Sequence, residues 1–289
     1  MSAPSRHGAF DTAHPAVPAL YLAVTLGLTM FGMQPALIGI SLLGALAVGA
    51  RADGPAPTLM ALRWQLPLIV VIAVLNPLFS ASGSTEVLRL GTRAIYLESL
   101  WYGLSMGGLF MASLLWFRAA ARLLPSDRVM ALLGNVAPTA AFMVSMCMRL
   151  MPRFLRQGRQ ILGVQEVGMP AAARRSEVAR ARLRASSVLM GWTMEDSLEC
   201  ADAMRARGWE TAGRRTSYEC FRFRGSDALA CLAILTGGAL CCLLAWAATS
   251  QYAYYPRASE LVAWWGYAPY AAWMLVPTVL QVVEERRFS

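Results

Sequence analysis

The feature that most restricts what this chain can fold into is a series of long apolar runs, separated by prolines, glycines and short charged turns. A helix that crosses a bilayer needs about 20 predominantly apolar residues, with a range of about 17 to 25. Val17 to Ala50 is too long for one such helix. Gly32 to Pro35 interrupts it, which predicts two helices joined by a tight turn, with Pro35 in the first turn of the second. Further runs cover Trp64 to Phe79, Ser99 to Ala121, Ala228 to Ala248 and Leu261 to Val283. Ala131 to Leu150 is also apolar, but Asn135 and Pro138 interrupt it and Arg149 and Arg153 follow at once. Only 15% of residues are charged, against about 25% in an ordinary soluble domain. These observations predict an all-α polytopic membrane protein with about six transmembrane helices. The first run lacks a clean cleavage site after it and reads as a span rather than a signal peptide.

The charged residues set the orientation. All 26 basic residues are arginine, and the formal net charge is +9. With the N-terminus in the cytoplasm, six spans, and 131–150 kept on the cytoplasmic side, only Arg89, Arg93 and Arg257 fall outside. Arginine excess marks the cytoplasmic face, so this topology is the expected one. It divides the chain into an N-terminal membrane region of four spans (1–122), a cytoplasmic region (123–225) and a C-terminal membrane region of two spans (226–289).

The absence of lysine has chemical consequences. A P-loop ATPase places a lysine on the nucleotide phosphates, and a Schiff-base cofactor needs a lysine amine. Both are excluded for this chain. The six cysteines (147, 200, 220, 231, 241 and 242) show no C-x-x-C spacing, and the two histidines, His7 and His14, lie near the N-terminus. No metal site is expected from that pattern. The basic residues flank spans, and no aromatic residues are interleaved with them as stacking platforms, so nucleic acid is not an expected partner.

Pro152 to Glu219 reads as helices outside the membrane. Phe154, Gly158, Ile161, Leu162 and Gln165 fall on one helical face, with Arg153, Arg156 and Gln160 opposite. Val178, Ala181, Ala185, Val188, Leu189 and Trp192 make a second apolar stripe. A third helix of about 15 residues, or roughly 22 Å, is expected from Thr193 to Arg207. Thr193 with Asp196 resembles a capping box, and Gly208 is a candidate for the glycine just past the helix end. Its last turn carries Arg205 and Arg207. Arginines such as Arg174, Arg175, Arg180, Arg182 and Arg184 are candidates for contact with anionic lipids.

Four segments in order carry a resemblance. They are Asn76-Pro77-Leu78-Phe79, Pro125-Ser126-Asp127, Met148-Arg149-Leu150-Met151-Pro152, and Ala203-Met204-Arg205-Ala206-Arg207-Gly208 followed by Arg215-Thr216. Together they resemble the transmembrane T component (CbiQ-type) of energy-coupling-factor transporters, which import vitamins and transition metals. The resemblance implies a non-catalytic scaffold in a bacterial cell membrane, with no cofactor of its own. The implied partners are two ATP-binding cassette ATPase subunits, which hold the ATP, and a substrate-binding membrane S subunit. It also implies that two Ala-Arg-Gly motifs end two coupling helices and dock the ATPases. Ala206, Arg207 and Gly208, with Arg205 beside them, match one motif. At the other, Gln165-Glu166-Val167-Gly168 keeps the glycine and lacks the arginine, so Glu166, Val167, Gly168 and Arg159 form a degenerate second candidate.

Other features read as structural. Asn76 and Pro77 suit the outer end of the third span. Glu98 lies at the lip of the fourth, where an acid is ordinarily solvated. Trp246, Trp264, Trp265, Trp273 and the tyrosines from Tyr252 to Tyr255 read as an interfacial aromatic belt. A self-contained membrane carrier or enzyme with a basic loop is the alternative, but no acid falls in the middle of a span, where ion coupling would need one. A substrate-binding subunit of the same transporter class is a second rival. Such subunits lack a long cytoplasmic helical insertion.

Overall fold

The computed structural model describes residues 14–79, 85–90, 93–168, 175–209, 223–255 and 264–288. In chain order the elements are α1 (Ala16–Phe31), α2 (Pro35–Ala52), α3 (Pro55–Phe79), β1 (Glu86–Leu90), β2 (Arg93–Tyr96), α4 (Leu97–Leu123), α5 (Ser126–Val136), α6 (Pro138–Val167), α7 (Arg175–Ala206), α8 (Gly225–Ser250) and α9 (Tyr267–Phe288). The chain divides into two units. Unit 1 comprises Met1–Val129 with Phe221–Ser289, and unit 2 comprises Met130–Cys220.

The helical membrane-protein reading holds in its main line. Among the described residues four helices, α2, α3, α4 and α8, are long and apolar enough to cross a membrane, while α1 and the Tyr267–Val283 part of α9 are apolar but shorter. The 16 residues of α1 span about 24 Å at 1.5 Å per residue, less than the roughly 30 Å of a typical hydrocarbon core. The segment 131–150 is divided where Asn135 and Pro138 predicted, because α5 stops at Val136 and α6 starts with Pro138. The third apolar helix starts nine residues earlier than its hydropathy implied. Pro55 opens it, and a proline costs nothing where the N–H has no partner. The short antiparallel hairpin β1–β2 between α3 and α4 is an addition to the all-helical expectation.

In unit 1 the helices alternate in direction, and small residues let them approach closely. A Cβ on Gly44 of α2 would lie 2.8 Å from the Met274 Cβ of α9, and one on Gly103 of α4 would lie 3.0 Å from the Ala73 backbone of α3. Small residues serve helix packing in lipid because no hydrophobic force drives apolar helices together there. Polar bonds complete the core. The Trp116 indole N–H of α4 donates to Ser41 Oγ of α2 at 3.0 Å. Ser41 also bonds Thr29 of α1 at 2.9 Å. The Trp273 indole N–H of α9 donates to Thr25 Oγ1 of α1 at 3.1 Å, and the Tyr21 hydroxyl donates to the Trp273 carbonyl at 2.7 Å. Trp273 is therefore a core residue, only 9% exposed, and not part of an aromatic belt. Trp246 and Trp265 do stand exposed.

The two ends of unit 1 differ in chemistry. At one end Asp53, just after α2, holds Arg118 and Arg122 of α4, and the His14 backbone N–H donates to Asp227 of α8. At the other end the Tyr254 hydroxyl donates to the Met33 carbonyl, Gln34 bonds Tyr267, and the Asn76 amide donates to the Ser99 carbonyl at 2.8 Å. Burial pushes the Tyr254 hydroxyl pKa up. Glu98 corrects a second expectation. It is 5% exposed, and its carboxylate accepts bonds from the Thr85 N–H and hydroxyl rather than from bulk water.

The glycine packing gives a direct test. Gly44→Ala should lower the melting temperature of the purified chain in detergent, because overpacking a tight site costs about 1–3 kcal/mol. Gly27→Ala, whose new methyl meets open space, should leave it unchanged or raise it slightly. Differential scanning fluorimetry of the two variants reads the contrast.

Candidate functional site

The candidate site is built on α6 and α7 of unit 2. Their 30 and 32 residues make rods of about 45 and 48 Å. The inward faces are the apolar stripes of the sequence. Ile161 is buried on α6, and Ala181 and Ala185 are buried on α7. A Cβ on Gly158 would meet Leu189 at 3.8 Å. Small side chains at the middle of the seam bring the helix backbones close. Val188 and Trp192, expected on the same stripe, are exposed instead. The stripe follows a four-residue step from Ala181 through Ala185 to Leu189, which rotates Val188 and Trp192 outward.

Three pairs set the register. Phe142 stacks on Trp209 with ring centroids 4.1 Å apart. Arg153 bonds Asp196 at 2.7 Å. Gly158 faces Leu189. Residue numbers rise on α6 as they fall on α7, so the helices are antiparallel. The expected helix start at Thr193 is absent. Thr193 lies inside α7, and its hydroxyl donates back to the Met190 carbonyl at 2.9 Å. Asp196 serves as the inter-helix partner of Arg153 and not as a cap. What read as two helices is one rod, about twice the expected length. Pro152 does not interrupt α6, which runs through it.

The two candidate docking motifs end these two rods. At the α7 end, the Gly208 N–H bonds the Arg205 carbonyl at 2.9 Å and the Trp209 N–H bonds the Met204 carbonyl at 3.0 Å. This is the Schellman pattern, which needs a left-handed residue just past the helix. Gly208 supplies it with φ 77°. Arg207 occupies the turn between the last helical residue, Ala206, and that glycine, and both Ala206 and Arg207 are exposed. Trp209 then folds back onto Phe142 of α6, which pins the turn to the partner helix. Arg205 sits two residues before Arg207, 3.8 Å from Asp202. An exposed pair of that kind contributes between nothing and about 1 kcal/mol.

The α6 end is built differently. Val167 ends the helix and is 89% exposed. Gly168 follows in a turn without a left-handed φ, and a Cβ there would make only ordinary contacts at 3.6 Å or more. Arg159 is exposed on the flank of α6, eight residues or about 12 Å before Val167 along the axis. It belongs to the side of the rod and not to its tip. Because the helices are antiparallel, their C-terminal ends point to opposite ends of the pair. By the register above, Ala206 lies beside residue 143 of α6, so the two tips are separated by about 36 Å.

Other expectations fall elsewhere. Asn76 and Pro77 sit at the end of α3, where Asn76 ties that helix to α4. Arg214, Arg215 and Thr216 lie outside the described residues, as do Arg174 and Cys220. Among the described residues, no three His, Cys, Asp or Glu side chains gather as they would around a metal ion. The sequence reading missed the Asp53 clamp on Arg118 and Arg122. The signal was there, because Asp53-Gly54-Pro55 marks a helix-to-helix turn and the two arginines are four apart on one face of α4. No protein-family model matches this sequence. No curated protein matches it at a significant level either.

The contrast between the two glycines is testable. Gly208→Ala forces a left-handed conformation costing about 1–2 kcal/mol on an L-residue, so amides around Arg207 should exchange hydrogen faster. Gly168→Ala should leave exchange at the α6 end unchanged. Hydrogen-exchange mass spectrometry on both variants checks the assignment.

Proposed function

We infer that this chain is the energy-coupling scaffold of an ATP-driven importer, similar in role to the T component of energy-coupling-factor transporters. The observation that carries this reading is Arg207, presented at the end of a rod roughly 48 Å long on a turn fixed by Gly208 and by the Trp209–Phe142 stack. A guanidinium held this way suits insertion into a groove of a partner protein. Arginine is among the residues that dominate interface energies, and it presents five N–H donors in a fixed fork.

In this reading unit 1 is the membrane frame, with α1 and α9 completing six spans. The first end of its helices faces the cytoplasm. Arg51, Arg118, Arg122 and Arg224 gather at that end, as the cytoplasmic bias of arginine requires. Unit 2 is read as cytoplasmic from its own arginines. Two ATPase subunits grip the tips of α6 and α7. Nucleotide-driven closure of the ATPases moves the tips, and the rods pass the motion to a substrate-binding membrane subunit. The imported solute is a vitamin or a transition metal. The chain itself catalyses nothing.

The test is retention of ATPase by the tagged chain purified from its native membrane. Arg207→Glu should abolish co-purification of an ATP-binding cassette ATPase while membrane insertion stays intact. Losing an arginine anchor costs about 2–4 kcal/mol, or about 30- to 1,000-fold in affinity. Arg205→Ala should weaken retention far less. Wild-type retention by Arg207→Glu would overturn the docking role.

A further inference from the structure

We propose that Arg122 and Arg118, held by Asp53, form a binding site for the phosphate of an anionic phospholipid at the arginine end of unit 1. The inference is independent of ATPase docking.

The site starts from a turn. α2 stops at Ala52, Asp53 caps it by donating its backbone N–H to the Gly49 carbonyl, and Gly54 takes φ 95°. Pro55 then opens α3. The turn projects the Asp53 carboxylate toward the last turns of α4, where it is 8% exposed. Its Oδ2 accepts from Arg118 Nε and Nη2, both at 2.9 Å, and its Oδ1 from Arg122 Nε at 2.9 Å. Arg118 Nη1 donates to the Pro57 carbonyl at 3.4 Å. One carboxylate thus positions two guanidinium groups and neutralises one.

The remaining charge has a direction. Arg122 is 64% exposed and Arg118 37%. Among the described residues the Asp53 oxygen is the partner of Arg122, and it occupies only the Nε–H, which leaves the two Nη groups without a bond among those residues. Arg51 is in the last turn of α2, and the first acid after Arg122 along the chain is Asp127, in the first turn of α5. A guanidinium fork with one edge fixed and the other open suits the two oxygens of a phosphate. Fixing the fork beforehand removes much of the ordering cost of binding.

The location decides which phosphate. α2, α3 and α4 are three of the four helices long enough to span the bilayer. The site lies at the end of α2, the start of α3 and the last two turns of α4, where helix ends meet lipid headgroups. A headgroup phosphate is present there at high local concentration, and each arginine near an anionic surface contributes about 1 kcal/mol. A diffuse cationic surface would attract the same lipids. The difference is that here Asp53 has to matter despite its negative charge.

The experiment uses the full chain purified in detergent and titrated with dioleoyl phosphatidylglycerol, with phosphatidylcholine and inorganic phosphate as comparisons. Bound lipid is read by native mass spectrometry and stability by melting temperature. Phosphatidylglycerol should bind and raise the melting temperature, while the other two should not. Arg122→Gln should weaken binding about five- to tenfold, whereas Arg63→Gln, an exposed arginine on α3 outside the clamp, should not. Asp53→Asn should also weaken binding, although it makes the site more positive. Each of these results would overturn the proposal: tighter binding by Asp53→Asn, equal losses for Arg63→Gln and Arg122→Gln, or stabilisation by inorganic phosphate matching that by lipid. Circular dichroism on each variant confirms that the helices are retained, and wild-type lipid binding by a folded Arg122→Gln chain would equally overturn it.

Discussion

The antiparallel register of α6 and α7 is the constraint on which the functional account rests. Had the two helices run parallel, both C-terminal turns would sit side by side. A paired seam of Ile161, Gly158, Ala181, Ala185 and Leu189, fixed by the Arg153–Asp196 bond and the Phe142–Trp209 stack, sends them apart instead. Two helix ends separated by tens of ångströms can engage two partner proteins at once. The same seam makes the rods stiff, because a helix of this length alone in water gains most of its stability from packing one face. Stiffness is what turns a grip at a tip into a movement elsewhere.

Unit 1 solves a different problem. Its helices meet where apolar contact alone gives no preference over lipid, so glycines at 44 and 103 and indole–hydroxyl bonds from Trp116 and Trp273 supply the specificity. Four elements, α1, α2, α4 and α9, are joined through Ser41, Thr25 and Thr29. The polar groups at its two ends then differ. Arginines clamped by an aspartate mark one end, and tyrosines, a buried glutamate and an asparagine bonded to α4 mark the other.

Much of this was legible in the sequence, for reasons that can be named. The α1–α2 break followed from Gly32 and Pro35, and the division before Pro138 from the Asn135 and Pro138 that interrupt an apolar run. The glycine past α7 was legible because Gly208 follows a basic last turn. The inward face of α6 was legible from its three- and four-residue spacing. The failures have physical causes too. Thr193 and Asp196 looked like a cap because hydroxyl and acid three residues apart do cap helices, but inside α7 the hydroxyl turns back on its own helix and the acid reaches Arg153. Trp273 looked interfacial because tryptophans usually are, and only the position of Thr25 on α1 gives its N–H a buried partner. Glu98 looked solvated because its partner, Thr85, comes from beyond the preceding strands. Opposed helix ends could not be read at all, since they depend on the sign of a long-range pairing.

The central claim is that the α6–α7 pair is a handle for nucleotide-hydrolysing partners. The most direct measurement is the subunit composition of the native assembly, taken by native mass spectrometry on the complex extracted gently from its own membrane. The account predicts one copy of this chain with two ATP-binding cassette subunits and one small membrane protein. Recovery of the chain alone, or only with copies of itself, in a preparation that transports solute without ATP would contradict it.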